Sequence, residues 1–176
     1  MANPEKIPLI RIRRVSSIDE LYDVFETIGR QFTPPIARDD RRVNELVRRF
    51  PADRALMLLV ESEGRIIGGV LGFGSTLRVI GLEPEVRGKG LGRRLLQTFE
   101  VAAMRHGVRE LSLGAEEAKG FYLKLGYRGK SSMHKQFPLP GRVSELRLQR
   151  LEQVVGDLEA GTVVPVESGG RVPSLA

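Results

Sequence analysis

The sequence predicts a single α/β domain followed by a C-terminal helical extension. Three observations carry that expectation. Strand-like apolar runs interleave with stretches whose apolar residues recur at helical spacing. A glycine cluster, Arg87-Gly88-Lys89-Gly90-Leu91-Gly92, sits where a strand pattern hands over to a helix pattern. The length of 176 residues, 41% hydrophobic and 28% charged, suffices for one core without cross-links.

The elements follow in order. Residues 8–14 alternate apolar and basic side chains, as a half-buried strand does. Ser17 and Glu20 form a capping box that opens a helix running to about Gly29, with Leu21, Val24, Phe25 and Ile28 on its apolar face. Gln31 to Pro35 break that helix, and Asp39 or Asp40 caps a second one ending near Phe50-Pro51. Ala55 to Val60 and Arg65 to Phe73 read as a hairpin around Glu61 to Gly64. Gly68, Gly69 and Gly72 weaken that second strand and imply a bulge or a close backbone approach. Leu77 to Leu82 is a further strand, and Leu91 opens a helix that stops at His106-Gly107. A strand from Glu110 to Leu113, a short helix from Ala115 to Leu125 and a strand over 131–137 complete residues 1–140. Beyond Pro140-Gly141 the pattern predicts an amphipathic helix over about 142–159 and then a loose tail, the C-terminal extension over 141–176.

Composition narrows the function. The chain has no cysteine, which excludes disulfides, thiolate catalysis and cysteine-held metal sites, and its two histidines argue against a histidine-rich one. No metal is expected. No apolar run reaches the ~18 residues of a membrane span, and Met1 to Lys6 lack the apolar stretch of a secretory signal. A cytoplasmic protein without a membrane partner is the expectation. The net charge is +6, and 24 basic against 17 acidic residues lie before Gly141, a balance of +7. That excess calls for an anionic partner in the first 140 residues, be it a phosphorylated cofactor, a membrane surface or nucleic acid. Nucleic acid is the weakest of these, because aromatics are 6% of the chain, tryptophan is absent and no nucleic-acid motif is present.

The glycine cluster supplies a place for the anion. Glycines at a strand-to-helix turn let backbone N–H groups point at a ligand, and the helix N-terminus adds partial positive charge. Arg87, Lys89, Arg93 and Arg94 stand beside it. The spacing alone would arise by chance about 0.35 times in this composition, so position gives it weight. It lacks the Gly-Lys-Ser/Thr of a Walker loop and the spacing of a dinucleotide fingerprint.

The run from Leu82 to Leu96 resembles the acetyl-CoA-binding motif of the GNAT superfamily of N-acetyltransferases. Phe121-Tyr122-Leu123-Lys124-Leu125-Gly126-Tyr127 is similar to that family's second signature, and Glu63 to Gly69 to its central hairpin. The resemblance covers roughly residues 8–139. It implies a three-layer GNAT-like fold, a mixed but mostly antiparallel central sheet flanked by helices. It implies acetyl-CoA as co-substrate, attacked directly by a primary amine of a small molecule or peptide. On that likeness Ile80, Gly81 and Leu82 offer backbone groups to the pantetheine arm and thioester, and Leu82 N–H meets the oxyanion. Arg87, Gly88, Lys89, Gly90, Leu91, Gly92 and Arg93 cradle the pyrophosphate. Tyr122 falls where the family often places a general acid, its plainer role being packing beneath the cofactor.

The chain also departs from the family. Ser75-Thr76-Leu77-Arg78 carries no carboxylate where some members have a glutamate, and Ser112 stands where others have one on the next strand. Glu83, Glu116 and Glu117 remain as candidate bases, Glu83 being the choice nearest the oxyanion donor, while a water chain or a neutral amine would need none. Ala115 replaces an asparagine that often contacts the cofactor. Those departures leave a catalytically silent CoA-binding module as the alternative to an active enzyme, with a basic nucleic-acid-binding protein behind it. His106 reads as a helix C-terminal cation and His134 as a surface or partly packed residue. Arg41-Arg42 and Arg48-Arg49 read as a solvated face or as an attraction for an acidic acceptor. Phe32 and Tyr22 lie where the family walls its acceptor pocket. The apolar face of the C-terminal helix must bury against the domain or a second subunit, which makes a homodimer an expectation.

Overall fold

The computed structural model describes residues 9–115, 118–138 and 162–164. The predicted helix over 142–159 lies outside the described residues, and with it the surface expected to dimerise. Eight strands form one sheet in the order β6-β7-β5-β4-β3-β2-β1-β8. They are β1 (Ile10–Arg14), β2 (Met57–Ser62), β3 (Arg65–Phe73), β4 (Thr76–Leu82), β5 (Glu110–Gly114), β6 (Arg128–Gly129), β7 (Ser132–Gln136) and β8 (Thr162–Val164). Every pairing is antiparallel except β4 with β5. Helices α1 (Ile18–Gly29) and α2 (Arg41–Asp53) cover one face, and α3 (Leu91–Arg105) and α4 (Lys119–Lys124) the other. The expected three-layer α/β architecture is present.

Local chemistry sets the helix starts. Ser17 Oγ accepts from Glu20 N–H at 3.2 Å, and the Glu20 carboxylate returns to Ser16 N–H at 2.8 Å. The Asp40 carboxylate accepts from Arg42 N–H at 2.8 Å and caps α2. The four apolar residues expected on α1 are all buried, as are Leu91, Leu95, Phe99, Ala102 and Ala103 of α3.

Two cores result, one under each helical layer. Gly69 and Gly72 explain how the layers come so close. A Cβ on Gly69 would lie 2.7 Å from Val24 of α1, and one on Gly72 would lie 2.8 Å from Phe99 of α3. The glycines that weaken β3 as a strand are the sites where helices approach its backbone from opposite faces.

Four expectations shift. Helix α2 continues past Pro51 to Asp53, because the proline falls in its last turn and Asp53 is held by Arg49 at 3.1 Å and by Gly74 N–H at 3.0 Å. Among the described residues α4 is a shorter helix than the pattern over Ala115 to Leu125 suggested, since Ala115 is not helical. A two-residue strand, β6, was not foreseen. Within the tail, Thr162–Val164 adds β8 to the edge of β1, with Ile10 opposite Val164. No helix among the described residues is long and apolar enough to cross a membrane.

Candidate active site

The sheet opens at its one parallel pairing. Strands β4 and β5 are in register only at Thr76 with Ser112 and Leu77 with Leu113, and then part. The edge of β4 from Arg78 to Leu82 is left without a neighbouring strand on that side. A cleft of about 480 Å³ occupies the gap, lined by Thr76 to Ile80 of β4, by Gly114 and Ala115 after the fork, by Tyr122, and by Phe32 and Arg42 from across the sheet. It continues toward the end of β4, where Gln31, Gly81, Leu82, Arg87, Gly92 and Phe121 join the lining.

Register decides which backbone groups face this cleft. Glu83 N–H donates to Ile67 C=O at 2.8 Å, so Leu82 and Gly68 form a pair that exchanges no direct hydrogen bonds. By alternation, Gly81 spends its N–H and C=O on Gly69, whereas Ile80 and Leu82 turn theirs toward the open edge. Of the three predicted backbone contributors, Ile80 and Leu82 offer polar groups and Gly81 offers only an uncluttered surface.

The glycine cluster lies beyond Leu82, after a turn of 3-10 helix over Pro84–Val86. Gly88 and Gly90 have φ of 75° and 76°, and Gly90 is the N-cap of α3 with no side chain to satisfy its first amides. Left-handed residues at a turn are one way of baring backbone N–H groups to an anion, and the helix start adds partial positive charge there. Lys89 and Arg93 are exposed beside it, while Leu91 is buried in the core and Gly92 lines the cleft. Arg87 behaves differently from its neighbours. Its Nε donates to Leu82 C=O at 2.9 Å and its Nη2 to Gln31 at 3.2 Å, so it ties the end of β4 to the segment after α1.

Tyr122 reaches the cleft from α4 and is buried. Burial pushes its phenol up to about 12, so it keeps its proton throughout the neutral range. No group among the described residues accepts from its hydroxyl. Its ring meets Phe121 and Tyr127 edge-on at 5.3 and 5.7 Å. Tyr127 is fixed in turn, because its hydroxyl donates to Glu100 at 2.9 Å and Lys135 holds the same carboxylate at 3.0 Å. Desolvation, reinforced by Glu100, raises the Tyr127 phenol far above its ordinary value.

The other candidates separate. Both Glu83 oxygens accept from Arg65 Nη1, at 2.7 and 3.0 Å, and Glu83 is not among the cleft-lining residues. Glu116 and Glu117 lie outside the described residues. Ser112 Oγ meets Thr76 Oγ1 at 3.2 Å where the strands part. Ala115 does line the cleft. His106 caps α3 and faces Asp53 at 3.3 Å, and His134 sits half exposed between Ser132 and Glu110. Phe32 lines the cleft, but Tyr22 carries Arg38 stacked on its ring at 4.7 Å and does not. The arginines of α2 part company as well: Arg42 lines the cleft, while Arg41 and Arg49 pair with Glu45 and Asp53.

Sequence reasoning missed Arg78 and Gln31. The signal for Arg78 was an arginine inside an otherwise apolar strand. Its orientation comes from a bulge, where Leu71 and Gly72 of β3 face Val79 and Leu77. The extra residue puts Arg78 on the same side as Val79, so its guanidinium meets Glu45 of α2 at 2.6 Å and the Phe73 ring at 5.6 Å.

An open strand edge and a protonated phenol therefore share one cleft, which the glycine turn reaches through Arg87 and Gly92. Comparison with known proteins bears on this architecture. Residues 53–129 match the family model of the acetyltransferase (GNAT) domain, a span from the end of α2 through β6. Among crystal structures, Ard1 from Thermoplasma volcanium superposes with a TM-score of 0.59 at 18% identity, covering 74% of this chain and 99% of that one. A GNAT family acetyltransferase from Brucella melitensis in complex with acetyl-CoA gives 0.51 at 21% identity, over 74% and 89%. The acetyltransferase yncA from Salmonella typhimurium with its cofactor acetyl-CoA gives 0.51 at 20% identity, over 73% and 94%. At these identities the structural likeness speaks for the fold, and the family match for the domain. Residues 53–129 thus match the GNAT acetyltransferase domain, and the described residues share the fold of those crystal structures.

Proposed function

We propose that this protein transfers the acetyl group of acetyl-CoA to a primary amine by direct attack on the thioester. The observation that carries the reading is a cleft along the open edge of β4 whose Leu82 end is lined by Arg87 and Gly92 of the glycine turn. The turn suits a pyrophosphate, the edge suits the amides of a pantetheine arm, and the sheet fork is an entry for a narrow chain. Two similar proteins, from Brucella melitensis and Salmonella typhimurium, have acetyl-CoA bound. Bound there, acetyl-CoA supplies an acyl group activated as a thioester.

The roles of this chain's residues follow from position. Gly88, Gly90 and the first amides of α3 hold the pyrophosphate, with Lys89 and Arg93 as exposed counter-charges. Ile80, with both of its backbone groups, and Leu82, with its N–H, orient the arm, Leu82 C=O being held by Arg87. Leu82 N–H faces the charge that develops on the thioester oxygen, and its donor is held in place before reaction starts. Tyr122, still protonated, gives its proton to the departing sulfur. No carboxylate lines the cleft among the described residues, and Glu83 is engaged by Arg65. We therefore assign proton removal from the amine to water rather than to Glu83. A silent cofactor-binding module is the rival, favoured by the alanine at 115 and the absent carboxylate.

Thermal unfolding with acetyl-CoA, followed by a screen for thiol release with primary amines, tests the proposal. At a hundredfold excess over Kd, binding stabilises by about 2.7 kcal/mol, a rise of roughly 5–10 °C for a chain of this size. A rise with turnover supports the enzyme. A rise without turnover by any amine supports the silent module, and no rise removes both.

A further inference from the structure

The cleft has two ends, and the chain order distinguishes them. The anion cradle follows Leu82, so the pyrophosphate belongs at that end and the arm runs back along β4 past Ile80. The end at Thr76 to Arg78 is left for the acceptor, an assignment that rests on the acetyltransferase reading. Two arginines line this end, Arg42 from the first turn of α2 and Arg78 from the β4 bulge. No aspartate or glutamate lines it among the described residues.

Each guanidinium is held from behind and left with donors to spare. Arg42 gives Nε and Nη2 to Asp40 at 2.9 and 3.1 Å, which leaves Nη1. Arg78 gives Nη2 to Glu45 at 2.6 Å, and its buried Nε has no hydrogen-bond partner. That buried Nε lies out of a ligand's reach, so Nη1 is the nitrogen of Arg78 left for an acceptor in the cleft. The two arginines share a neighbourhood, since the Asp40 carboxyl is lowered first by its hydrogen bonds with Arg42 and additionally by the charge of Arg78. Asp40 and Glu45 do not line the cleft, so the face offered to a ligand is cationic.

We propose that the acceptor is a small amine bearing a carboxylate, an amino acid, whose carboxylate is received by Arg42 and Arg78 while its amine points along β4 toward Ile80 and Leu82. Each guanidinium, though paired with Asp40 or Glu45 behind it, keeps its Nη1 for the cleft, and two charge-assisted N–H bonds from different arginines can receive the two oxygens of one carboxylate. A diamine would set its second cation against both.

The test compares amines of equal chain length: an amino carboxylate, an aminoalkyl phosphonate, an amino alcohol and a diamine, each with acetyl-CoA. The amino carboxylate should exceed the alcohol in kcat/KM by about tenfold or more, and the diamine by a wider margin. Arg78→Gln should lower that value about tenfold, mainly through KM, while the amino alcohol changes less than about threefold. Arg78→Lys should recover part of the loss, and Arg109→Gln, which removes an exposed charge away from the cleft, should recover the wild-type pattern. An acetyl-CoA thermal shift establishes that each variant is folded. Calorimetry with the N-acetylated amino carboxylate reads the anion site without turnover. Binding that needs Arg78 but no turnover keeps the carboxylate site and removes the acetyltransferase reading. Turnover that favours the diamine, or treats carboxylate and alcohol alike, removes the carboxylate site and keeps the enzyme. A clear preference for the phosphonate overturns the carboxylate in favour of a phosphate-type anion.

Discussion

The two ends of the β4 cleft are built from different material. At the Leu82 end the groups proposed for recognition are backbone amides: Ile80, Leu82, Gly88, Gly90 and the start of α3, contiguous within a dozen or so residues of chain. At the Thr76 end they are side chains from three distant places, Phe32 after α1, Arg42 at the start of α2 and Arg78 in a bulge. Backbone recognition tolerates almost any side chain but demands glycine where φ is positive. Side-chain recognition is free to change without disturbing the fold. The first end is thus suited to an invariant ligand and the second to one that varies between relatives of the same architecture.

The largest expected effect falls on the backbone end. Gly90→Glu forces a side chain with a negative charge onto a left-handed N-cap beside the anion site. Acetyl-CoA affinity should fall by about a hundredfold or more, measured by loss of its thermal shift. A variant that binds normally would mean the cradle is only a turn. Next comes the phenol between the two ends. Tyr122→Phe should lower kcat about a hundredfold with the acetyl-CoA thermal shift intact. Loss of binding instead would make Tyr122 a packing residue of the arm.

The third effect concerns the start of α1, outside the cleft. Arg13 bridges β1 to the start of α1 through Glu20, at 2.7 Å, and also holds Glu61 at 3.1 Å. The Arg13 hydrogen bond first, then those from Ser16, lowers the Glu20 carboxyl to about 2. A carboxylate held lower in the folded chain than in the unfolded one stabilises fully above its unfolded value near 4.3, and loses that contribution as pH falls toward 2. Glu20→Gln should cost about 1–2 kcal/mol at pH 7, allowing for partial solvent screening, and nearly nothing at pH 2. Urea unfolding at the two pH values checks it. The smallest effect is expected at Glu83, where Glu83→Gln should alter kcat/KM less than about threefold and leave the rate rising with pH toward the amine's own pKa. A hundredfold drop would restore Glu83 as the base.

How much was readable in advance follows the same division. The cap of α1 by Ser17 and Glu20, the apolar face of α3 and the glycine turn before it are local patterns, each complete within a few residues, and the structure contains them where the sequence implied. The reach of the Arg87 side chain was not readable, because its partners Leu82 and Gln31 meet it only after α1 packs on the sheet. Nor was β8, a three-residue strand in a stretch whose glycines and prolines signalled a loose tail; its partner is β1, at the opposite end of the chain.

By itself the sequence determined the order of the four helices and of β1 to β5 and β7, the two helical faces, the glycine turn and its family likeness, since each depends on periodicity and on the φ that a residue permits. Only the tertiary structure decided that β4 and β5 part after two residue pairs, that a bulge swings Arg78 beside Arg42, and that Glu83 is spent on Arg65. Those facts depend on strand register and on contacts between residues far apart in the chain. A shift of one position in a strand reverses which face a side chain serves, and no local pattern records it.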